Sequence, residues 1–320
     1  MTQIKKLNSF ILYLLGSSYA LGAGNISAKA ESLLKESGFF SYLTNSLLTG
    51  LFISFLIVAV VRFITRKGVK IIPHTGQACI EHLIDSIGGI LEPIVGKHLF
   101  EKALPLLLGY FIFIVIQNLS GLFPGVSSIG FKHEGHIVGI LRPMNSDLNA
   151  TLALALIASL AWIYFCLKFV GVHGLYEHIF GNKSDRNEIP KFIYLLLFFV
   201  FFGVGLIECL SILFRVVSLS FRLYGNVFGG ENLLHNMYEM SEFLASGGLA
   251  TTGIYSMVAS FSPELALFLS WVIGKLGYFL PLPFYFLEFL VGIVQAFVFT
   301  LLVAVYMGLI CNHEEEKTLT

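Results

Sequence analysis

Apolar residues run along this chain in unbroken blocks of about twenty, with polar positions gathered between the blocks instead of alternating within them. The blocks are Tyr42 to Val61, Ala103 to Phe123, Leu148 to Val170, Phe192 to Phe214 and a long one from about Pro263 to Ile310. About 20 mostly apolar residues suffice to cross a bilayer as a helix, so each block predicts a crossing. Arg215 to Met240 is less apolar but contains no proline, which lets one helix continue from Lys191 to Met240. Ser262 to Cys311 exceeds one perpendicular crossing, since its roughly 75 Å as a helix compares with a hydrocarbon core of about 30 Å. Either Gly274, Gly277, Pro281 and Pro283 break it or it runs steeply tilted. Two elongated helices lying back to back are the expectation from length. From His74 to Lys102, Ile80, Leu83, Ile84, Ile87, Ile90 and Leu91 alternate with Glu81, His82, Asp85 and Glu92. Those spacings of three and four predict an amphipathic helix on a membrane surface. The predicted class is an all-α integral membrane protein: about five crossing helices, the last two long and tilted, and one amphipathic interfacial helix.

Composition narrows this further. The 320 residues are 56% hydrophobic and 12% charged, with a mean hydropathy of +0.81, whereas soluble domains are about 25% charged. Lys+Arg and Asp+Glu number 20 each, which removes the case for a nucleic-acid binder or a basic peripheral protein. Cys79, Cys166, Cys209 and Cys311 are widely spaced and read as packing residues, not as a disulfide framework or a zinc site.

Basic residues set the expected orientation. Arg62, Arg66, Lys67, Lys70, Lys97 and Lys102 follow the first block, and Lys168, Lys183, Arg186 and Lys191 frame the loop after the third. Both groups belong on the cytoplasmic side. The alternate loops, Pro124 to Asp147 and Ser241 to Ser262, carry only Lys132 and Arg142. The N-terminus, with Lys5 and Lys6, an apolar run from Leu7 to Leu15 and small residues at Ala20, Gly22 and Ala23, reads either as a signal peptide cleaved near residues 20 to 24 or as a retained extension. The expected organisation is 1–24 as that segment, 25–41 outside, 42–313 as the polytopic membrane domain and 314–320 as a cytoplasmic tail.

Ionisable residues inside the apolar blocks carry the chemical information, because a charge at the bilayer centre costs at least about 2.5 to 3.5 kcal/mol. They are Glu208, Arg215, Arg222 and Glu231 in the long fourth helix, and Lys275 and Glu288 near the end. Glu208, Arg215 and Arg222 recur every seven residues, which returns a helix to within about 20° of its starting direction. Asn226 follows one turn later on that face, and Glu231 points away from it. Glu288 and Gln295 are also seven apart. One reading is an ion path; the other is buried pairs such as Glu208 with Arg215. Arg222 has no acid three or four residues away, so its partner must come from another helix or another chain. A guanidinium keeps its proton and acts as a fixed barrier, whereas a carboxylate can hand its proton on.

The segment Ser218-Leu-Ser-Phe-Arg222-Leu-Tyr-Gly-Asn226-Val-Phe-Gly-Gly-Glu231 resembles the signature of subunit a of F-type ATP synthases. Asn118-Leu119, Gly121-Leu122 and Pro124-Gly125 are similar to that family's end of one span, and Asp147, Asn149 and Thr151 to the start of the next. Glu208 falls where the family places an acid, and Gln295-Ala296-Phe297-Val298-Phe299 is similar to its last-helix motif. The likeness runs from about Leu47 to His313. It implies a stator subunit in a bacterial inner membrane, partnered by a ring of c subunits, the b-subunit peripheral stalk and the remaining ATP synthase subunits. Arg222 would face the ring carboxylate, hold it ionised, discharge its proton into one aqueous half-channel and block a short-circuit to the other. Asn226 and Gln295 would position that arginine or line the path. Glu231 and Glu288 would relay protons in the half-channel open to the outside, with Glu208 at its lining and Asp147, Asn149 and Arg215 in secondary places. The resemblance implies no cofactor and no metal, and no bond chemistry by this subunit alone. Many relatives pair an acid at one relay position with a histidine at the other, and glutamate stands at both here. Arg215 stands where many have Lys or an uncharged residue, and Lys275 reads as a snorkelling cation.

Other functions fit less well. All nine histidines lie in loops, interfacial segments or span ends, which rules out a bis-histidine haem carrier. His133-Glu134-Gly135-His136 is one residue short of a zinc helix motif. The only Asp residues, Asp85, Asp147 and Asp185, lie outside the spans, against an intramembrane aspartyl protease. The alternative from another class is a stand-alone ion-coupled secondary transporter, whose two related halves this sequence lacks.

Overall fold

The structure, a computed structural model, describes residues 44–66, 73, 75–123, 130–133, 136–139, 142–172, 191–245, 257–260, 262–277 and 279–319. The signal-like N-terminal segment and the segment 25–41 lie outside the described residues. The elements are α1 (Asn45–Thr65), α2 (Thr75–Val95), α3 (Lys97–Ser120), β1 (Gly130–His133), β2 (His136–Gly139), a 3-10 turn (Met144–Ser146), α4 (Leu148–Phe169), α5 (Lys191–Ala245), α6 (Pro263–Gly277) and α7 (Leu282–Leu319). Five segments are long and apolar enough to cross a membrane: Asn45–Thr65, Leu99–Ser120, Leu148–Phe169, Phe199–Leu244 and Pro263–Leu309. The all-helical membrane class is therefore the fold found. Its one addition among the described residues is the antiparallel hairpin β1–β2, pairing Gly130 with Gly139 and His133 with His136 between α3 and α4.

Local chemistry sets the helix ends. At α1 the Thr44 hydroxyl accepts the Leu47 N–H at 3.3 Å, and at α6 the Ser262 hydroxyl accepts from Leu265 at 3.4 Å, with Pro263 as the first helical residue. Gly96, at φ 86°, ends α2 in a left-handed conformation, and the chain turns there into α3. The amphipathic helix consequently stops at Val95, and Lys97 to Lys102 open the next spanning helix instead of closing this one. Of the two readings of the C-terminal stretch, the break is the one found. Turn hydrogen bonds from Phe279 to Leu276 (2.9 Å) and from Leu280 to Gly277 (3.1 Å) separate α6 from α7. Beyond them, Pro281 has no N–H to continue the ladder. By contrast α5 continues for 55 residues without interruption.

The described residues fall into two compact units. The first draws on Met1–Ile57, Ile114–Asp147 and Tyr224–Gln295, the second on Val58–Phe113, Leu148–Leu223 and Ala296–Thr320. The second has an ordinary apolar interior, with Leu91, Leu107, Cys166, Leu223, Phe299 and Met307 fully buried. The first is different. Its buried positions include Asn45, Ser46, Thr49, Gln117, Asn118, Arg142, Asn145, Ser146, Asp147, His235 and Gln295. Buried polar groups are tolerated when they bond to one another, and many of these polar atoms do.

Candidate functional site

In the first unit, the amide of Asn226 on α5 donates from Nδ2 to Gln295 Oε1 on α7 at 2.7 Å. Asn118, near the end of α3, donates to the Gly292 carbonyl of α7 at 2.9 Å and accepts from Asn145 Nδ2 at 2.7 Å. The Gln117 side chain accepts the Met144 N–H at 3.4 Å, and the Ser46 hydroxyl donates to Asp147 Oδ2 at 3.1 Å. These bonds join α3 to α7 and to the 3-10 turn, α5 to α7, and α1 to Asp147 just beyond that turn.

Glu231 and Glu288 line one cavity in this unit, walled by Asn118, Gly121, Leu122, Pro143, Val227 and Leu234. The Glu288 carboxylate lies against the backbone of Gly230, where any Cβ would collide with it. Glycine at 230 therefore admits an acid from α7 to the position beside Glu231. Opposite, Arg142 Nη2 stands 3.5 Å from Glu231 Oε2, and both side chains are largely buried. One turn beyond Glu231, buried His235 approaches the exposed Glu239 at 3.4 Å.

In the second unit, Arg215 is held by aromatic rings. Its guanidinium carbon is 3.6 Å from the Tyr306 ring centroid and 5.6 Å from that of Trp162. The Trp162 indole N–H donates to the Tyr306 carbonyl at 2.8 Å, fixing the two rings together. Arg215 is thus a cation–π group, and among the described residues no ion pair joins it to Glu208. Glu208 is half-buried, and Asn149 and Lys275 are exposed. Arg222 is exposed on α5, with no hydrogen bond or ion pair among the described residues.

The structure therefore brings together Asn226 with Gln295, and Glu231 with Glu288, while Asp147 lies in the polar network of the first unit. Sequence reasoning missed Arg142, which entered only as a loop cation. The available signal was its place five residues before Asp147, in a loop otherwise poor in charge. It also missed Asn118 and Asn145 as a bonded pair, and the ring partners of Arg215. No group of three or more His, Cys, Asp or Glu able to hold a metal occurs among the described residues.

Fold and buried groups together define a polytopic helical membrane protein that keeps carboxylates and cations among apolar helices, the make-up of an ion-handling protein. The family model described as ATP synthase A chain matches residues 47–308. The chain is 30% identical to ATP synthase subunit a 2 of Bradyrhizobium sp., over 83% of this chain and 88% of that protein. Identity to ATP synthase subunit a of Moorella thermoacetica is 28%, covering 80% and 85% of the two chains. For that of Aliivibrio fischeri it is 26%, covering 90% of each. The chain belongs to the ATP synthase A chain family, and with it to the proton-translocating membrane part of that complex.

Proposed function

We propose that this chain is the stator against which a ring of c subunits turns, with two aqueous half-channels separated by Arg222. The observation that carries the reading is Arg222 itself, exposed on an apolar helix with no partner among the described residues. A permanent charge in such a place demands a counter-charge, and a carboxylate of another chain supplies it. Ser218, Arg222, Gly225 and Gly229 recur at four, three and four residues, and all four are exposed. Small side chains around an arginine suit close approach by a partner helix. The ring carboxylate releases its proton on meeting Arg222, and the arginine, which cannot relay, blocks a leak.

Glu231 and Glu288 are the relay groups of the half-channel open to the outside. Support comes from their shared cavity and from the polar interior around it, where Gln117 Nε2 and Asn145 Oδ1 have no protein partner among the described residues. Buried polar atoms in that condition are where ordered water binds. Asn226 and Gln295 line the path, and the b subunit and the other ATP synthase subunits complete the assembly. ATP chemistry resides in those partners. The membrane is the bacterial inner membrane, with the mature N-terminus outside and the C-terminus cytoplasmic.

ATP-driven acidification of inverted membrane vesicles tests the reading. Arg222→Ala is expected to abolish pumping at equal amounts of assembled complex. Normal pumping would overturn the stator assignment in favour of a stand-alone transporter.

A further inference from the structure

Contacts that hold Arg142 among the described residues include three hydrogen bonds. Its backbone N–H donates to Thr49 Oγ1 of α1 at 3.1 Å, its Nε donates to Ser146 Oγ at 2.9 Å, and its Nη2 faces Glu231 at 3.5 Å. Ser146 is itself held, donating to the Pro143 carbonyl at 2.9 Å. The backbone of Arg142 is thus tied to α1, and its guanidinium is held by Ser146 of the 3-10 turn and aimed at an acid on α5. Glu288 has no ion pair among the described residues.

The charge balance gives the arrangement its meaning. A histidine and a glutamate sharing a relay reach neutrality by passing one proton between them. Two glutamates do not: with one proton they retain a negative charge, and without it two like charges share a low-dielectric cavity. One fixed cation balances the pair when it holds one proton.

Resting on the relay reading above, we propose that Arg142 is the positioning residue of the Glu231–Glu288 pair, keeping the negative charge on Glu231 and leaving the exchangeable proton on Glu288. Arg142 exchanges no proton. It decides which of two chemically identical carboxyls is the carrier, and Gly230 lets that carrier approach. Among the described residues, the other titratable or charged groups of this unit include His235, paired with Glu239, and Tyr238 on α5, Tyr285 on α7, and Asp147, bonded to Ser46. From α6, Glu264 and Lys275 are exposed; α1 presents the hydroxyls of Ser46 and Thr49 and α3 the amides of Gln117 and Asn118.

The test is ATP synthesis by the assembled complex in liposomes, driven by an imposed proton gradient, with the pH of the proton-entry side varied. Arg142→Gln is expected to slow synthesis several-fold and to move its dependence on entry-side pH upward by about one unit, because the pair then holds its proton more firmly. Arg142→Lys, which keeps the charge, is expected to leave that dependence in place. In a Glu231→Gln background, where the charge to be held is gone, adding Arg142→Gln is expected to move nothing further. An unchanged rate and pH dependence in Arg142→Gln would overturn the proposal, as would an equal shift in the Glu231→Gln background. If Arg142→Gln does not assemble, Arg142→Lys decides: an unmoved dependence supports the proposal and a one-unit shift overturns it. Failure of the relay reading is told apart by Glu231→Gln and Glu288→Gln. If both leave synthesis intact, the relay itself is wrong; if both impair it while Arg142→Gln is silent, only the role of Arg142 falls.

Discussion

A methyl group at position 230 would occupy space held by the Glu288 carboxylate, so Gly230→Ala tests the approach of the two acids without changing any charge. Overpacking at such a site costs about 1 to 3 kcal/mol, and the side chain with freedom to move is Glu288. Proton pumping by Gly230→Ala is expected to fall several-fold at normal assembly, and wild-type pumping would show that the close approach is dispensable. Arg215 gives the opposite expectation. Its guanidinium rests on the rings of Tyr306 and Trp162, contacts of about 0.5 to 2 kcal/mol each, so Arg215→Gln should weaken local packing while preserving at least half of the pumping rate that Arg222→Ala loses. Complete loss in both variants would refute a packing role for Arg215. Legibility at this scale followed the type of signal. Arg222, Glu231 and Glu288 were legible as candidates because a charge in an apolar run is costly and needs a reason. Arg142 was not, because in a polar loop the same charge is cheap and its contact with Glu231 depends on tertiary folding. The clamp around Arg215 was hidden for a related reason: Trp162 and Tyr306 belong to α4 and α7, and aromatic residues in apolar spans read as ordinary core.

Helix α5 poses a problem of length that its sequence already contained. The apolar part, Phe199–Leu244, has 46 residues, about 69 Å at 1.5 Å each, against a hydrocarbon core of about 30 Å. An unbroken helix of that length stays within the core only by lying steeply inclined. Spin labels placed along α5 should therefore change depth by about 0.65 Å per residue, compared with nearly 1.5 Å expected along α4, whose 22 residues match the core thickness when upright. Equal gradients in the two helices would rule the inclination out. The absence of proline from α5 made its continuity legible, and Gly225, Gly229 and Gly230 do not interrupt it. The C-terminal stretch was ambiguous because Gly274, Gly277, Pro281 and Pro283 all offered a break; the chain turns at 279–281, past Gly277 and at the first proline. The boundary at Gly96 was obscured differently. The 3.6-residue apolar pattern runs on past it, so only a left-handed φ reveals the corner.

At the scale of the whole molecule, the buried charged groups Arg142, Asp147 and His235 belong to the first unit, and two lysines mark one end of the second. There Lys102, near the start of α3, lies 4.9 Å from the ring centroid of Phe169 at the end of α4, and Lys168 donates to the Tyr164 hydroxyl at 3.2 Å. The entry to one spanning helix and the exit of the next therefore share an end that carries cations, the arrangement expected of a cytoplasmic face. Cys79 allows a direct test, because it is exposed on α2 in the segment between α1 and α3. With Cys166, Cys209 and Cys311 replaced by Ser, a charged maleimide that does not cross membranes should label Cys79 in inverted vesicles and not in intact spheroplasts. A cysteine introduced at His136, in the hairpin between α3 and α4, should show the reverse pattern. The two results are coupled through α3, which separates the sites by one crossing, so labelling of both from the same side would break the topology itself. Labelling of Cys79 from outside with His136→Cys reached from inside would keep the five crossings but reverse them, and would exchange the compartments that the Glu231–Glu288 relay is proposed to serve.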